Sequence, residues 1–161
     1  LFVLAVLVHH LRRVLHFNVT EHPTAEWTAQ HVVDAFPDES GPASLLRDRD
    51  LVFGGQFRHR VEGMRIDEVL TAPHSPWHNP FAERVIGSIR RECLNHVLVL
   101  GERHLHRILT RYFVYYHRAR THLALQKDAP DVRPIERPEM GKVVQIPEVG
   151  GLHHRYVRRA A

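Results

Sequence analysis

The chain opens on eight consecutive apolar residues, Leu1–Val8, which are followed by His9-His10 and Arg12-Arg13. A membrane-spanning helix needs about 20 such residues, so this run is too short to cross a bilayer. Neither a basic leader nor a small-residue cleavage site accompanies it, as a signal peptide would require. A short apolar run between polar residues is typical of a strand buried on both faces. The run therefore predicts a strand in the middle of a sheet.

The order of the next elements predicts the fold class. Residues 13–20 alternate loosely between apolar and polar, which indicates a second strand after a turn at Leu11-Arg12. Thr24 suits the N-cap of a helix that runs to Phe36 and is ended by Pro37. Later patterns predict a strand at 44–47, a helix at 55–64, a strand at 66–70, a helix from Pro80 and a helix over 102–119. This order favours an α/β fold in which helices cover a mixed sheet.

Composition limits the class of protein. With 161 residues and 43% hydrophobic content, the chain can bury one core. Its formal charge of +4 favours an anionic partner. The single cysteine, Cys93, excludes an intramolecular disulfide and a cysteine-based zinc ribbon, and it fits a reducing cytoplasm. Its helical spacing from Phe81, Val85 and Ile89 predicts a core position.

Two carboxylates stand in settings that suit metal binding. Asp48 follows the predicted strand 44–47, and Glu83 lies in the first turn of the helix that Asn79 and Pro80 begin. A carboxylate at a strand end and one on a helix can converge, and hard divalent cations take oxygen ligands. The alternatives are that Asp48 is a turn residue, that Asp50 takes its role, and that Glu83 only complements the helix dipole.

Three motifs resemble one family. Residues 75–84 with 89–93 are similar to the last catalytic segment of the integrase core of insertion-sequence transposases and retroviral integrases. Residues 115–125, with Ala129-Pro130, are similar to the family's tyrosine-rich segment, which runs into Arg, His, Leu and a closing Pro. Residues 47–50 with 55–57 give a third match, so the resemblance covers roughly residues 1–135.

The resemblance implies an RNase H-like fold and a DNA transposase or integrase that moves mobile elements. Such an enzyme carries Asp, Asp and Glu, holds two Mg²⁺ or Mn²⁺ ions, and joins element ends to target DNA by transesterification. It also implies a homo-multimer on DNA. No Asp occurs before Asp34, which falls in the predicted helix, so the first catalytic Asp is absent. We expect a fragment whose missing first strand carries that Asp, although a decayed gene copy gives the same pattern, and whether the chain is an active enzyme stays open.

Basic residues suggest where DNA would bind. On a helical wheel, Arg90 and Arg91 share the side of Glu83, so we expect them to contact phosphates. Arg118, Arg120 and His122, in the family-like segment, are phosphate contacts or helix-end caps. The histidine pairs follow no known ligand spacing for a metal, and imidazole is a poor ligand for Mg²⁺.

The sequence also predicts organisation and location. Residues 1–140 form the integrase-like core, and 141–161 form a basic C-terminal arm with at most one strand at Val143–Ile146. We expect a cytoplasmic, nucleoid-associated protein that does not bind membranes. Two other functions stay open, namely a non-catalytic DNA-binding remnant of a transposase and an RNase H-type nuclease that acts on RNA.

Overall fold

The computed structural model describes residues 1–37, 41–73 and 75–160, and within them the chain is mixed α/β. The predicted loop at 38–42 therefore lies partly outside the described residues. The strands are β1 (Phe2–Val8), β2 (Arg13–Thr20), β3 (Ser44–Arg47), β4 (Asp67–Leu70), β5 (Lys142–Glu148) and β6 (His153–Arg159). The helices are α1 (Ala25–Ala35), α2 (Gly55–Gly63), α3 (Pro80–Glu92) and α4 (Glu102–Arg118).

The strands pair two by two in the described part of the chain. β1 pairs with β2, β3 pairs with β4, and β5 pairs with β6. β3 and β4 are parallel, in a register from Ser44 opposite Asp67 to Arg47 opposite Leu70. The α/β class is confirmed, but the described strands form three pairs where a single mixed sheet was expected. Parallel strands need a crossover, and α2 provides it.

The chain divides into two compact units, one of Leu1–Val8 with Val14–Gly87 and one of His9–Arg13 with Ser88–Ala161. In the first unit, Thr24 caps α1 because its side chain accepts a hydrogen bond from the backbone N–H of Trp27. α1 and α2 pack around a core whose buried members are Ala29, Val32, Phe57, Val61 and Ile66.

The first strand differs from its prediction. In β1 only Leu4 and Val6 are buried, and the other five residues of the strand are half-buried. The expectation of burial on both faces was wrong, because Leu4 and Val6 lie on one face and the residues of the opposite face are only half-buried. The expected place in the middle of a sheet was also wrong, since β2 alone pairs with β1 among the described strands. The predicted turn is confirmed, since the N–H of Arg12 donates to the carbonyl of His9 at 3.3 Å.

The second unit is built on α4, whose buried stripe contains Leu105, Leu109, Tyr112, Phe113 and Tyr116. Residues 142–159 form an antiparallel hairpin with Lys142 opposite Arg159 and Glu148 opposite His153. The prediction of an extended arm was wrong in this respect, because β6 pairs with β5 from Lys142 to Glu148. A side chain at Gly141 would lie 2.0 Å from the carbonyl oxygen of Arg159, so the base of the hairpin requires glycine.

None of the described helices is both long enough and apolar enough to cross a membrane.

Candidate functional site

Asp48 directly follows β3 and is exposed. The preceding Arg47 is buried, and its guanidinium donates to the carbonyl oxygen of Asp48 at 2.8 Å. The same guanidinium is paired with the carboxylate of Glu68 on β4 and lies over the rings of Phe53 and Phe57, at 5.3 and 5.5 Å. Arg47 therefore fixes the backbone of Asp48, and the side chain of Asp48 stays exposed to solvent.

The two acidic residues after β3 have different local roles. The Asp50 carboxylate caps the short 3₁₀ turn at 51–53 by accepting from the N–H of Val52 at 3.1 Å. The Asp48 carboxylate accepts from the N–H of Asp50 at 3.2 Å, as a turn residue would. Both therefore carry a turn contact, but the helix cap assigns Asp50 a structural role and favours Asp48 as the ligand.

Two hydrogen bonds relate the neighbour of Asp48 to the residues just before the helix that carries Glu83. Because β3 and β4 are parallel, their carboxyl ends lie at the same edge. Arg49, next to Asp48, donates from Nε to the carbonyl of Thr71 at 3.0 Å, just past the end of β4. The N–H of Ala72 then donates to Nδ1 of His78 at 3.3 Å, which folds the following loop back on itself. His74 of this loop lies outside the described residues.

The helix start is confirmed. Asn79 Oδ1 accepts from the N–H of Ala82 at 3.3 Å, and the carbonyl of Asn79 accepts from the N–H of Glu83 at 3.2 Å. Glu83 is exposed in the first turn of α3. It belongs to the same compact unit as Asp48. The loop between Thr71 and Asn79 thus returns the chain toward the edge where Asp48 lies.

The donor set suits a hard divalent cation. Asp48 and Glu83 offer oxygen ligands, are open to solvent, and form no ion pair with another described residue. In the described part of the chain, neither belongs to a group of three candidate ligands. That Asp48 and Glu83 form one metal site, as two of the three carboxylates that the family resemblance implies, stays a prediction.

The predicted DNA-binding arginines fall into two groups. Arg90, Arg91 and Arg118 are exposed, and Arg90 and Arg91 lie in the last turn of α3. The buried positions of that helix include Val85, Ile89 and, just beyond it, Cys93, as the helical spacing predicts. Burial raises the pKa of the Cys93 thiol to about 11. DNA contact by the three exposed arginines stays a prediction.

Arg120 and His122 are engaged inside the second unit. Arg120 donates to Glu92 through Nε at 2.7 Å and through Nη2 at 2.6 Å. Tyr112 donates to the same carboxylate at 2.9 Å. Burial alone would raise the pKa of Glu92, but the hydrogen bonds from Arg120 and Tyr112 outweigh burial and lower it.

His122 is buried beside this cluster. Burial, reinforced by the positive charge of Arg120, lowers the pKa of His122 to about 4. Its backbone N–H donates to the carbonyl of Asp128 at 2.9 Å. Arg120 and His122 are therefore engaged in contacts within the fold near the end of α4. This favours a structural role of the helix-end kind over phosphate binding.

The sequence did not predict the ion-pair partners of Arg47 and Arg120. The Arg47–Glu68 and Arg120–Glu92 pairs join residues 21 and 28 positions apart, so no local pattern announced them. It also missed a group formed by His16, His31 and Asp34. A usable signal was present, since His16 and Asn18 alternate on one face of a strand while His31 and Asp34 have the i, i+3 spacing of a helix face.

A family model described as integrase core domain matches residues 64–130. The resemblance to an integrase catalytic core is confirmed. The matched segment contains β4, the loop to α3, Glu83, the Arg120–Glu92 pair and the tyrosine-rich helix α4. No curated protein matches the chain.

A likeness to a solved structure covers more of the chain than that segment. One chain is in the cryo-EM structure of a simian T-cell lymphotropic virus intasome in complex with PP2A regulatory subunit B56 gamma. The match has a TM-score of 0.51 and 16% identity, and it covers 88% of this chain and 55% of that chain. At this identity the likeness shows a shared fold, and the present chain spans about half the length of its neighbour.

Proposed function

We propose that the chain is the core of a DNA transposase or integrase that carries out Mg²⁺-dependent phosphodiester transesterification. One observation carries the proposal. Asp48 leaves the carboxyl edge of the β3–β4 pair. The hydrogen bonds of Arg49 to Thr71 and of Ala72 to His78 bring that edge close to the residues that come just before the helix of Glu83. The second of these hydrogen bonds lies in the segment that matches the integrase core domain. We further propose that the fold follows the RNase H-like plan.

Each residue of the edge has a role in this proposal. Asp48 and Glu83 would hold Mg²⁺, which when bound activates an attacking oxygen and neutralises the leaving oxygen. Arg47 positions Asp48 through its carbonyl, since it is itself fixed by Glu68. Asn79 positions Glu83 by beginning the helix. The exposed Arg90, Arg91 and Arg118 would hold the DNA backbone, because guanidinium groups bind phosphates without reading sequence.

The partners follow from the same proposal. The substrates would be element ends and target DNA, and joining two ends requires more than one catalytic core, so we propose a homo-multimer on DNA. The structural neighbour belongs to an intasome, which supports this assignment. We propose a cytoplasmic, nucleoid-associated location, in keeping with a single buried cysteine.

The test uses labelled duplex DNA with Mg²⁺ or Mn²⁺ and scores nicking and strand transfer. Two carboxylates offset only part of the charge of two divalent ions, and a displacement of about 1 Å at the reacting oxygen costs on the order of 100-fold in rate. We therefore expect residues 1–161 to be nearly inert. A β-strand bearing one Asp, joined ahead of Leu1, should produce activity.

Matched variants make this test specific. Asp48→Asn and Glu83→Gln should abolish the activity of the extended protein, whereas Asp50→Asn should retain it, because Asn caps a helical turn as well as Asp does. Activity that is indifferent to Glu83→Gln would contradict the proposal. Tight DNA binding with no divalent-ion binding at Asp48 or Glu83 would instead identify a non-catalytic DNA-binding remnant. Preference for an RNA strand would identify a nuclease of the RNase H type.

A further inference from the structure

Four arginines lie along the outer face of α4. Arg103, Arg107, Arg111 and Arg118 are all exposed. At 3.6 residues per turn, their positions fall within about 80° of the helix circumference. The buried stripe of α4 is centred on the opposite side of the helix, so the four side chains leave the face that points away from the core. These four residues form what we call the arginine stripe.

The described part of the chain does not neutralise the arginine stripe. None of the four guanidinium groups forms an ion pair with a described residue. α4 contains one acidic residue, Glu102, which lies at least about 100° around the helix from every member of the stripe. The outer face of α4 therefore carries positive charge along its whole length.

This arrangement is unfavourable for an isolated helix. Arg103 and Arg107 are i,i+4 neighbours of like charge, as are Arg107 and Arg111, and such pairs repel each other. Arg103 also lies in the first turn, where the positive end of the helix dipole disfavours a cation. No ion pair among the described residues offsets this repulsion. Binding to an anionic partner would remove it.

The dimensions and composition of the stripe fit duplex DNA. The stripe spans about 22 Å, since each residue of an α-helix adds about 1.5 Å. Duplex DNA carries one negative charge per about 1.7 Å of its axis, so it presents charge along that whole length. Single strands are usually bound on exposed aromatic rings. The one other position within the arc of the stripe is Val114, so this face of α4 offers no such ring.

Two other classes of partner fit the stripe less well. A basic helix that lies on a membrane inserts an apolar face among the lipids. The apolar face of α4 is instead buried within the fold. A symmetric contact with a second copy through this face would place arginines opposite arginines, which repel each other.

We propose that the arginine stripe binds the phosphate backbone of a DNA duplex, without a divalent ion and without reading the sequence. Guanidinium groups form bidentate contacts with phosphates, and these contacts carry no sequence information. The inference rests on the proposed function for DNA as the partner. It deepens that function by adding a DNA-binding surface that shares no residue with the edge of Asp48 and Glu83.

The test measures binding of residues 1–161 to a labelled duplex of about 20 base pairs, in EDTA, at salt concentrations between about 50 and 200 mM. Because EDTA removes divalent ions, this binding does not depend on a metal at Asp48 or Glu83. The stripe variant combines Arg103→Gln, Arg107→Gln and Arg111→Gln. Each phosphate contact contributes about 0.9 to the slope of the logarithm of the binding constant against the logarithm of salt concentration. The slope of the stripe variant should therefore be flatter by up to about 2.7 units.

Matched variants make the test specific. Replacing the same three arginines with Lys keeps the charge and should keep nearly all of the slope. A control triple, Arg58→Gln with Arg60→Gln and Arg65→Gln, removes the same charge from exposed arginines outside the stripe. The control should change the slope by less than about one unit. Circular dichroism checks folding, and if the stripe variant does not fold, Arg107→Gln alone should flatten the slope by about 0.9.

A slope of the stripe variant equal to that of the wild type, or equal to that of the control triple, would overturn the proposal. So would a change in oligomeric state of the stripe variant without DNA, which would identify a contact between copies. Tighter binding of the wild type to a single strand than to the duplex would also overturn it. Failure of the proposed function would look different, because duplex binding in EDTA would persist while the protein extended by an Asp-bearing strand showed no metal-dependent nicking.

Discussion

Replacing Arg120 with Met should destabilise the second unit rather than weaken DNA binding. The change leaves the Glu92 carboxylate with Tyr112 as its remaining side-chain donor among the described residues, and it removes the contact of Arg120 with Ser88 at 3.3 Å. Breaking a fully buried ion pair costs about 3–5 kcal/mol. The two side chains here are 22% and 23% exposed, which reduces the expected loss to about 2–4 kcal/mol.

Urea denaturation would measure this loss. The chain has four tyrosines, and all lie in the second unit: Tyr112, Tyr115, Tyr116 and Tyr156. Near-ultraviolet circular dichroism of tyrosine therefore follows that unit, while fluorescence of the two tryptophans follows the first. We expect the tyrosine transition to move to lower urea, and Arg118→Met, at an exposed arginine, to change stability by less than about 0.5 kcal/mol.

A double variant separates the ion pair from loss of packing. Glu92→Gln keeps the shape of the side chain and removes the negative charge that Arg120→Met leaves without its arginine partner. The double variant should therefore be more stable than the sum of the two single losses predicts, by on the order of 1 kcal/mol or more. Additive losses, or an Arg120→Met variant within about 0.5 kcal/mol of the wild type, would refute the reasoning. If Arg120→Met lowered the salt dependence of DNA binding and left the free energy of unfolding unchanged, Arg120 would be a phosphate contact.

Three further outcomes are expected. Because the pKa of His122 is lowered to about 4, the unfolded chain takes up a proton between about pH 6.5 and 4 while the folded chain does not. The free energy of unfolding should therefore fall by roughly 2–4 kcal/mol as the pH drops through this window. A His122→Gln variant should lack this part of the pH dependence when unfolding is measured at each pH. The buried Cys93, with its raised pKa, should react with a thiol reagent at least about 100-fold more slowly in the native chain than in urea, and equal rates would contradict its core position. The double variant Arg90→Ala with Arg91→Ala should bind all DNA sequences more weakly to a similar extent. The slope of the logarithm of the DNA-binding constant against the logarithm of salt concentration should become flatter by up to about two units. An unchanged slope would exclude both arginines as phosphate contacts.

Local signals predicted most of the elements. Thr24 and Asn79 cap the helices that they were expected to cap, because a cap needs only residues within one turn. The apolar stripe of α4 is buried as its period predicts. β6 was missed because His153–Arg159 is rich in basic residues, and its strand conformation is stabilised by pairing with β5 rather than by its own pattern.

The candidate site was predictable in part. The positions of Asp48 and Glu83 on their elements followed from strand-end and helix-start patterns. The contacts that relate them did not, since Arg49 reaches Thr71 and Arg47 reaches Glu68 across more than 20 residues of chain. The roles of Arg120 and His122 were ambiguous for the same reason, because Glu92 lies 28 residues before Arg120.

The central claim is that Asp48 and Glu83 share one divalent ion, and Mn²⁺ relaxation in NMR spectra tests it most directly. A paramagnetic ion broadens amide signals with a steep distance dependence, so substoichiometric Mn²⁺ reveals even weak sites. We predict that the amides of residues 48–50 and of 81–84 broaden together, and that Asp48→Asn or Glu83→Gln alone removes the effect from both segments. If each variant removed broadening only from its own segment, or if neither segment broadened, the two carboxylates would not form a shared metal site.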